Sequence, residues 1–71
     1  MEEINITTDF IKLDALLKFS ALAGTGGEAK QMIGEGIVFV NGEVCTIRGK
    51  KCFPGDIITV QDQKIRVIHE S

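Results

Sequence analysis

Three cations fall within four residues at Arg48-Gly49-Lys50-Lys51. The intervening glycine allows a tight bend that presents the side chains together, and a phosphate backbone is the polyanion such a cluster suits. A second element lies at Thr25-Gly26-Gly27-Glu28. Thr25 and Glu28 are spaced as a capping box, in which hydroxyl and carboxylate satisfy reciprocal orphan amides at a helix start. Such a start presents free N–H groups and partial positive charge, and two glycines let a phosphate approach the backbone closely. Lys30 near that end is slightly unfavourable for the helix dipole and becomes sensible beside a bound phosphate. Each feature also has a plain structural reading. The glycines suit a tight interhelical turn, and Lys30 and the loop cations suit a solvated surface.

Other chemistry is nearly absent. Gly24-Thr25-Gly26-Gly27 lacks the spacing and the Lys-Ser/Thr pair of a phosphate loop. His69 stands close to the end of the sequence, a poor place for a general base. Asp9 and Asp14 read as a turn residue and a helix-start charge rather than a catalytic pair. Cys45, Cys52 and His69 offer three soft ligands at most, with no paired C-x-x-C spacing, so the thiols read as half-buried small hydrophobes and not as metal ligands. The expectation is a non-enzymatic chain with no cofactor.

These residues must be positioned by a small scaffold. The 71 residues carry 8 basic and 10 acidic side chains, a net charge of −2 and 44% hydrophobic residues. That suits one domain over residues 1–71, with a net stability of roughly 3–5 kcal/mol and little room for a deep catalytic cavity. Ile4 and Ile6 alternate as in a short strand. From about Lys12, Leu13, Leu16 and Leu17 fall at helical spacing with Phe19 and Leu22 nearby, Asp14 suits the first turn, and Gly24 is the expected end. A second helix follows Thr25, with Ala29, Met32 and Ile33 as its apolar stripe and Gly36 as its stop; Gly34 weakens it by about 1 kcal/mol relative to Ala. Residues 37–40 read as a strand, Asn41-Gly42 as a hairpin turn whose two residues both need positive φ, and residues 43–47 as the returning strand. Pro54-Gly55-Asp56 reads as a type II turn. Residues 57–60 and 65–68 then form two strands about a polar turn near Asp62 and Gln63. The predicted fold class is α+β: two helices packed on one face of a short, mainly antiparallel sheet.

Charge is unevenly spread. Residues 1–28 carry −3, residues 29–51 carry +2 and residues 52–71 carry −1. The middle segment therefore places a local phosphate-binding face in an acidic protein, where bulk charge alone would not attract nucleic acid. Phe10, Phe19, Phe39 and Phe53 are the only aromatics, and most occupy positions expected in the core. That pattern favours structured RNA, recognised by shape and backbone, over single strands that need exposed stacking platforms. No stretch approaches the roughly 20 apolar residues needed to span a bilayer. Met1-Glu2-Glu3 is acidic where a secretory signal is basic, so a cytoplasmic location and no membrane partner are expected.

Taken together, Lys12-Leu13-Asp14-Ala15-Leu16-Leu17, Thr25-Gly26-Gly27-Glu28-Ala29-Lys30 and Val38-Phe39-Val40-Asn41-Gly42-Glu43 resemble the RNA-binding domain of small-subunit ribosomal protein S4. The resemblance is closer to the small stand-alone bacterial members of that superfamily, of the YaaA and YbcJ type. In those members Gly-Gly-x-Ala-Lys opens the second helix, and Arg-Gly-Arg/Lys-Lys and Pro-Gly-Asp follow the hairpin, as Arg48 to Lys51 and Pro54 to Asp56 do here. The similarity covers roughly residues 8–61. It implies the alpha-L RNA-binding motif and an RNA-binding module that grips the backbone of folded RNA, ribosomal RNA or a ribosome-associated complex being the natural target, as a monomer. It implies contacts by Gly26, Gly27, Lys30, Arg48, Lys50 and Lys51, with Lys12 and Lys18 as weaker members. Ile47 stands where close relatives often carry another Arg, and Cys45 where they often carry Glu. The rival readings are a protein–protein adaptor, motivated by the acidic flanks, and a binder of duplex DNA.

Overall fold

The computed structural model describes residues 1–70. Seven strands and two helices run in the order β1 (Glu2–Ile6), β2 (Ile11–Lys12), α1 (Leu13–Phe19), α2 (Gly26–Gly34), β3 (Val38–Val40), β4 (Glu43–Val44), β5 (Lys51–Cys52), β6 (Ile57–Val60) and β7 (Gln63–His69). Five strands form one sheet in the order β1-β7-β6-β3-β4, while β2 and β5 make a separate two-stranded ladder. All pairings in the main sheet are antiparallel except β1 with β7, where Glu2 lies opposite Ile65 and Ile6 opposite His69. The described segment thus closes on itself, its first strand lying beside its last.

Period-two alternation sends one set of side chains from the sheet inward. Ile6, Val38, Val40, Ile58, Val60, Ile65 and Val67 meet Leu13, Leu16 and Leu17 of α1 and Ala29 and Ile33 of α2 in a single core. Ala29, fully buried and small, suits close approach of the two helices. The sheet carries its helices on one face, as expected, and turns Phe39, Thr59, Lys64 and Arg66 away from the core.

The hairpin turn has the predicted geometry: Asn41 and Gly42 take φ of 53° and 86°, as a type I′ turn requires. Gly55 at φ 97° and a 2.9 Å bond from the Asp56 N–H to the Phe53 carbonyl fit the type II turn. Gly36, at φ 77° just past the Glu35 C-cap, stops α2 where the sequence places the stop.

Four expectations need correction. Helix α1 ends at Phe19, well before Gly24, because Ala21 enters the left-handed region at φ 64°. Its N–H donates to the Lys18 carbonyl at 3.1 Å and that of Ala23 to the Leu17 carbonyl at 3.0 Å, closing the helix end without a glycine. The strand returning from Gly42 pairs only over Glu43–Val44. The last strand begins at Gln63, directly after a two-residue turn in which Gln61 takes φ 54°, and it runs to His69. Finally, the phenylalanines are largely outside the core: Phe19 is 76% exposed, Phe53 47% and Phe39 37%. At about 100° per residue Phe19 lies about 120° around the helix from Leu13, on the flank of the Leu13-Leu16-Leu17 stripe, and Phe39 alternates with the buried Val38 and Val40.

Candidate nucleic-acid interface

The first turn of any helix leaves amides without intrahelical partners. In α1 the N-cap residue Lys12, in extended conformation, offers no side-chain cap, and the Ala15 N–H donates to the carboxylate of its neighbour Asp14 at 2.8 Å. The other partners come from the basic loop. Leu13 donates its N–H to the Lys50 carbonyl at 2.9 Å, and Asp14 donates to the Arg48 carbonyl at 3.2 Å. The adjoining β2–β5 ladder sets Ile11 opposite Cys52 and Lys12 opposite Lys51. Within the loop, the Lys50 N–H donates to the Ile47 carbonyl at 3.1 Å. The Arg48–Lys51 loop is therefore a strap across the start of α1. It gathers Lys12, Arg48, Lys50 and Lys51, all exposed, around one helix end. The strap takes the Leu13 and Asp14 amides and the Asp14 carboxylate takes that of Ala15, so an anion at this end would meet side chains.

Cys52 anchors the strap from below. It is fully buried, more deeply than the half-buried position expected for it. Burial, followed by the Asp56 carboxylate, pushes its thiol from 9.0 up to about 11. Above it, Lys51 Nζ lies 4.9 Å from the Phe10 ring centroid, and the Phe10 and Phe53 rings pack at 5.8 Å.

The start of α2 forms the second cluster. The Thr25 hydroxyl oxygen accepts the Glu28 N–H at 3.1 Å, as the capping box predicts. The reciprocal half is displaced by one residue: the Glu28 carboxylate accepts from Gly24 at 3.2 Å, not from Thr25. Gly26 and Gly27 are exposed, and neither has positive φ. A Cβ on Gly26 would meet only the Lys18 stem at 4.0 Å, and one on Gly27 only the Thr25 hydroxyl at 3.9 Å. Both are ordinary contacts, so neither packing nor backbone angle within the chain requires glycine here, although glycine within a helix is disfavoured by roughly 0.5–1 kcal/mol relative to alanine. The same geometry places Lys18 beside Gly26. Lys30 is exposed on α2, about one turn in from the start.

The eight residues singled out in the sequence thus fall into two clusters and an outlier. Lys12, Arg48, Lys50 and Lys51 surround the start of α1; Lys18, Gly26 and Gly27 surround the start of α2; Lys30 stands further along α2. Ile47, 65% exposed, extends the loop as an apolar position, and Cys45 is tied to β3 by its N–H, which donates to the Val38 carbonyl at 2.9 Å. Among the described residues no three His, Cys, Asp or Glu side chains are grouped to hold a metal ion, and no helix is long and apolar enough to cross a membrane.

Sequence reasoning missed the exposed aromatics beside these clusters. For Phe19 the signal was available: at about 100° per residue, Lys12, Ala15 and Phe19 share an arc of about 60° on the flank of α1, beside its leucine stripe and outside it.

Two helices packed on a mostly antiparallel sheet match the fold of a known class. The S4 domain family matches residues 4–68, and the chain belongs to that family. The match reaches further than the motif-bearing 8–61, taking in the end of β1 and most of β7. Small ribosomal subunit protein uS4 of Picosynechococcus sp. is 40% identical over 53 residues, covering 75% of this chain and 26% of that protein. The uS4c protein of Lotus japonicus is 39% identical over 54 residues, or 76% of this chain and 27% of that protein. The chain spans about a quarter of the length of these relatives. The solution structure of YbcJ from E. coli, described as revealing an alpha-L motif involved in RNA binding, matches with a TM-score of 0.74 at 28% identity and covers 96% of this chain and 87% of that one.

Proposed function

We propose that this chain is a non-enzymatic RNA-binding protein that recognises structured RNA through backbone phosphates. The observation that carries the proposal is the strap: carbonyls of Arg48 and Lys50 bond to the first amides of α1, which sets four cations on one small surface of an acidic protein. The exposed, unforced glycines at the start of α2 support it, since a closely approaching phosphate is the kind of neighbour for which their missing side chains matter. So does the relation to a structure described as RNA-binding and to two ribosomal proteins. Ribosomal RNA, or RNA in a ribosome-associated complex, is the proposed target; the protein is proposed to act in the cytoplasm as a monomer. The contacts assigned are Lys12, Lys18, Gly26, Gly27, Lys30, Arg48, Lys50 and Lys51.

The test is a fluorescence-anisotropy titration with structured ribosomal RNA fragments and with duplex DNA of matched length, at two salt concentrations. Saturable, RNA-preferring, salt-sensitive binding is expected. Arg48→Ala with Lys50→Ala removes side chains but keeps the carbonyls that hold α1, so the variant stays folded. Its affinity falls on the order of ten- to a hundredfold, from loss of two charge-assisted contacts. Unchanged affinity in that folded variant removes the strap from the interface. Equal binding of DNA and RNA, or capture of a protein partner that survives nuclease and strap neutralisation, replaces the RNA reading.

A further inference from the structure

We infer that Phe19 is a stacking platform for an unpaired nucleotide lying between the two phosphate-contacting clusters; the inference rests on the RNA-binding reading above. Three observations lead to it. Phe19 is the most exposed large apolar side chain in the domain, at 76%, and it belongs to a regular helix, so its position is held by the backbone of α1. Secondly, its neighbours form a continuous strip. Phe19, Lys18, Ala15 and Gly24 line one small depression. Ala15 is shared with the next, lined also by Phe10, Lys12 and the carboxylate-bearing Asp9. Beyond Phe10 come Lys51, 4.9 Å from its ring centroid, and Phe53. The strip thus runs from the strap to the start of α2 along the open side of α1, and the rise from Lys12 to Phe19 is about 10 Å.

Thirdly, the chemistry along the strip alternates between what a base and what a phosphate requires. An exposed ring offers a face on which any base can stack, and cations flanking it suit the adjoining backbone. A fully paired duplex hides its base faces within the stack and would leave Phe19 against a sugar–phosphate surface. An RNA with an unpaired nucleotide next to a helical stem satisfies both clusters and the ring between them. The small Ala15 at the centre of the strip leaves room for such a base.

The experiment compares a blunt RNA hairpin with the same hairpin carrying a short single-stranded tail. Phe19→Ala is expected to weaken binding of the tailed RNA at least fivefold and to leave the blunt hairpin unchanged, in line with the usual effect of removing one base-stacking aromatic. Since the chain contains no Trp or Tyr, Phe19→Trp supplies a single indole that restores affinity; its emission is quenched by the tailed RNA and not by the blunt one. Equal effects of Phe19→Ala on both RNAs, or no effect on either while the wild type binds, overturns the stacking role and leaves the RNA-binding reading standing. Failure of the wild type to bind any RNA overturns both. A wild-type dimer that Phe19→Ala converts to monomer, with RNA affinity unchanged, assigns the ring to self-association instead.

Discussion

Cys52 shows how a single side chain links the core to the surface above it. Its sulfur is buried beneath the strap and its N-terminal neighbour is Lys51, so the position of the cations depends on a thiol that must remain neutral. Burial, then the Asp56 carboxylate, raises its pKa from 9.0 to about 11. In the unfolded chain the same thiol ionises near its ordinary value. Above pH 9 the unfolded state therefore sheds a proton that the native state keeps, and native stability falls as pH rises towards 11. Below pH 9 this group contributes no pH dependence. Two pK units correspond to about 2–3 kcal/mol, a large part of the roughly 3–5 kcal/mol available to a domain of this size. Urea midpoints measured at pH 8 and pH 10.5 are expected to drop more for the wild type than for Cys52→Ala, whose midpoint is lower at pH 8 but less sensitive to pH. An equal drop in the two proteins would remove Cys52 as the cause. At pH 8 the half-buried Cys45 is the thiol that alkylating reagents reach first.

At the scale of elements, the turns decide how the strands meet. Asn41 occupies the left-handed first position of the β3–β4 turn and also bridges to a second turn. Its side-chain carbonyl accepts the Ile57 N–H at 2.9 Å, and its amide donates to the Asp56 carboxylate at 3.1 Å. Asp56 in turn accepts the Phe53 N–H at 2.8 Å. Ala21 has similar backbone geometry and no such bonds. Glycine relieves left-handed strain at both positions, yet the expected signs differ. Ala21→Gly stabilises the domain by about 0.5–1 kcal/mol, whereas Asn41→Gly destabilises it by about 1–2 kcal/mol through the two lost hydrogen bonds. Thermal or urea denaturation of the two variants checks the contrast, and two shifts of the same sign would refute it. The Asn41-Gly42 turn was legible because its dipeptide carries its own conformational requirement, and the Thr25 cap because three-residue spacing does. The Asn41–Asp56 bridge was not, since it joins residues 15 apart whose proximity only the sheet creates. Nor was the β2–β5 ladder, because two-residue strands leave no alternation to read. Ala21 hid the end of α1, having no sequence marker for positive φ. Of the candidate site, the sequence offered the cations and glycines as candidates, but the strap's docking on α1 required the fold.

Over the whole molecule, a net charge of −2 opposes approach to any polyanion at long range, while the strap with its ladder strands carries Lys12, Arg48, Lys50 and Lys51 and the two helices carry Lys18 and Lys30. Arg66 and Lys64 lie apart from these, on the outer face of the sheet. The domain measures 34 × 22 × 18 Å, about two to four times the screening length of about 8 Å at physiological salt. Acidic groups on remote surfaces are therefore largely screened under those conditions, and affinity reflects local contacts. The arrangement favours discrimination: a polyanion that fits only part of the surface gains few contacts and still meets an acidic protein at low salt. Each phosphate contact releases counterions, so the logarithm of affinity falls linearly with the logarithm of salt concentration, by about 0.7–0.9 per contact. If all six side chains engage structured RNA, the slope is about −4 to −5; the strap and Lys12 alone give about −3. Titrations from 50 to 200 mM salt measure it directly. A slope near −1 would mean that the clustered cations do not meet phosphates together, and would leave the binding to contacts other than these six side chains.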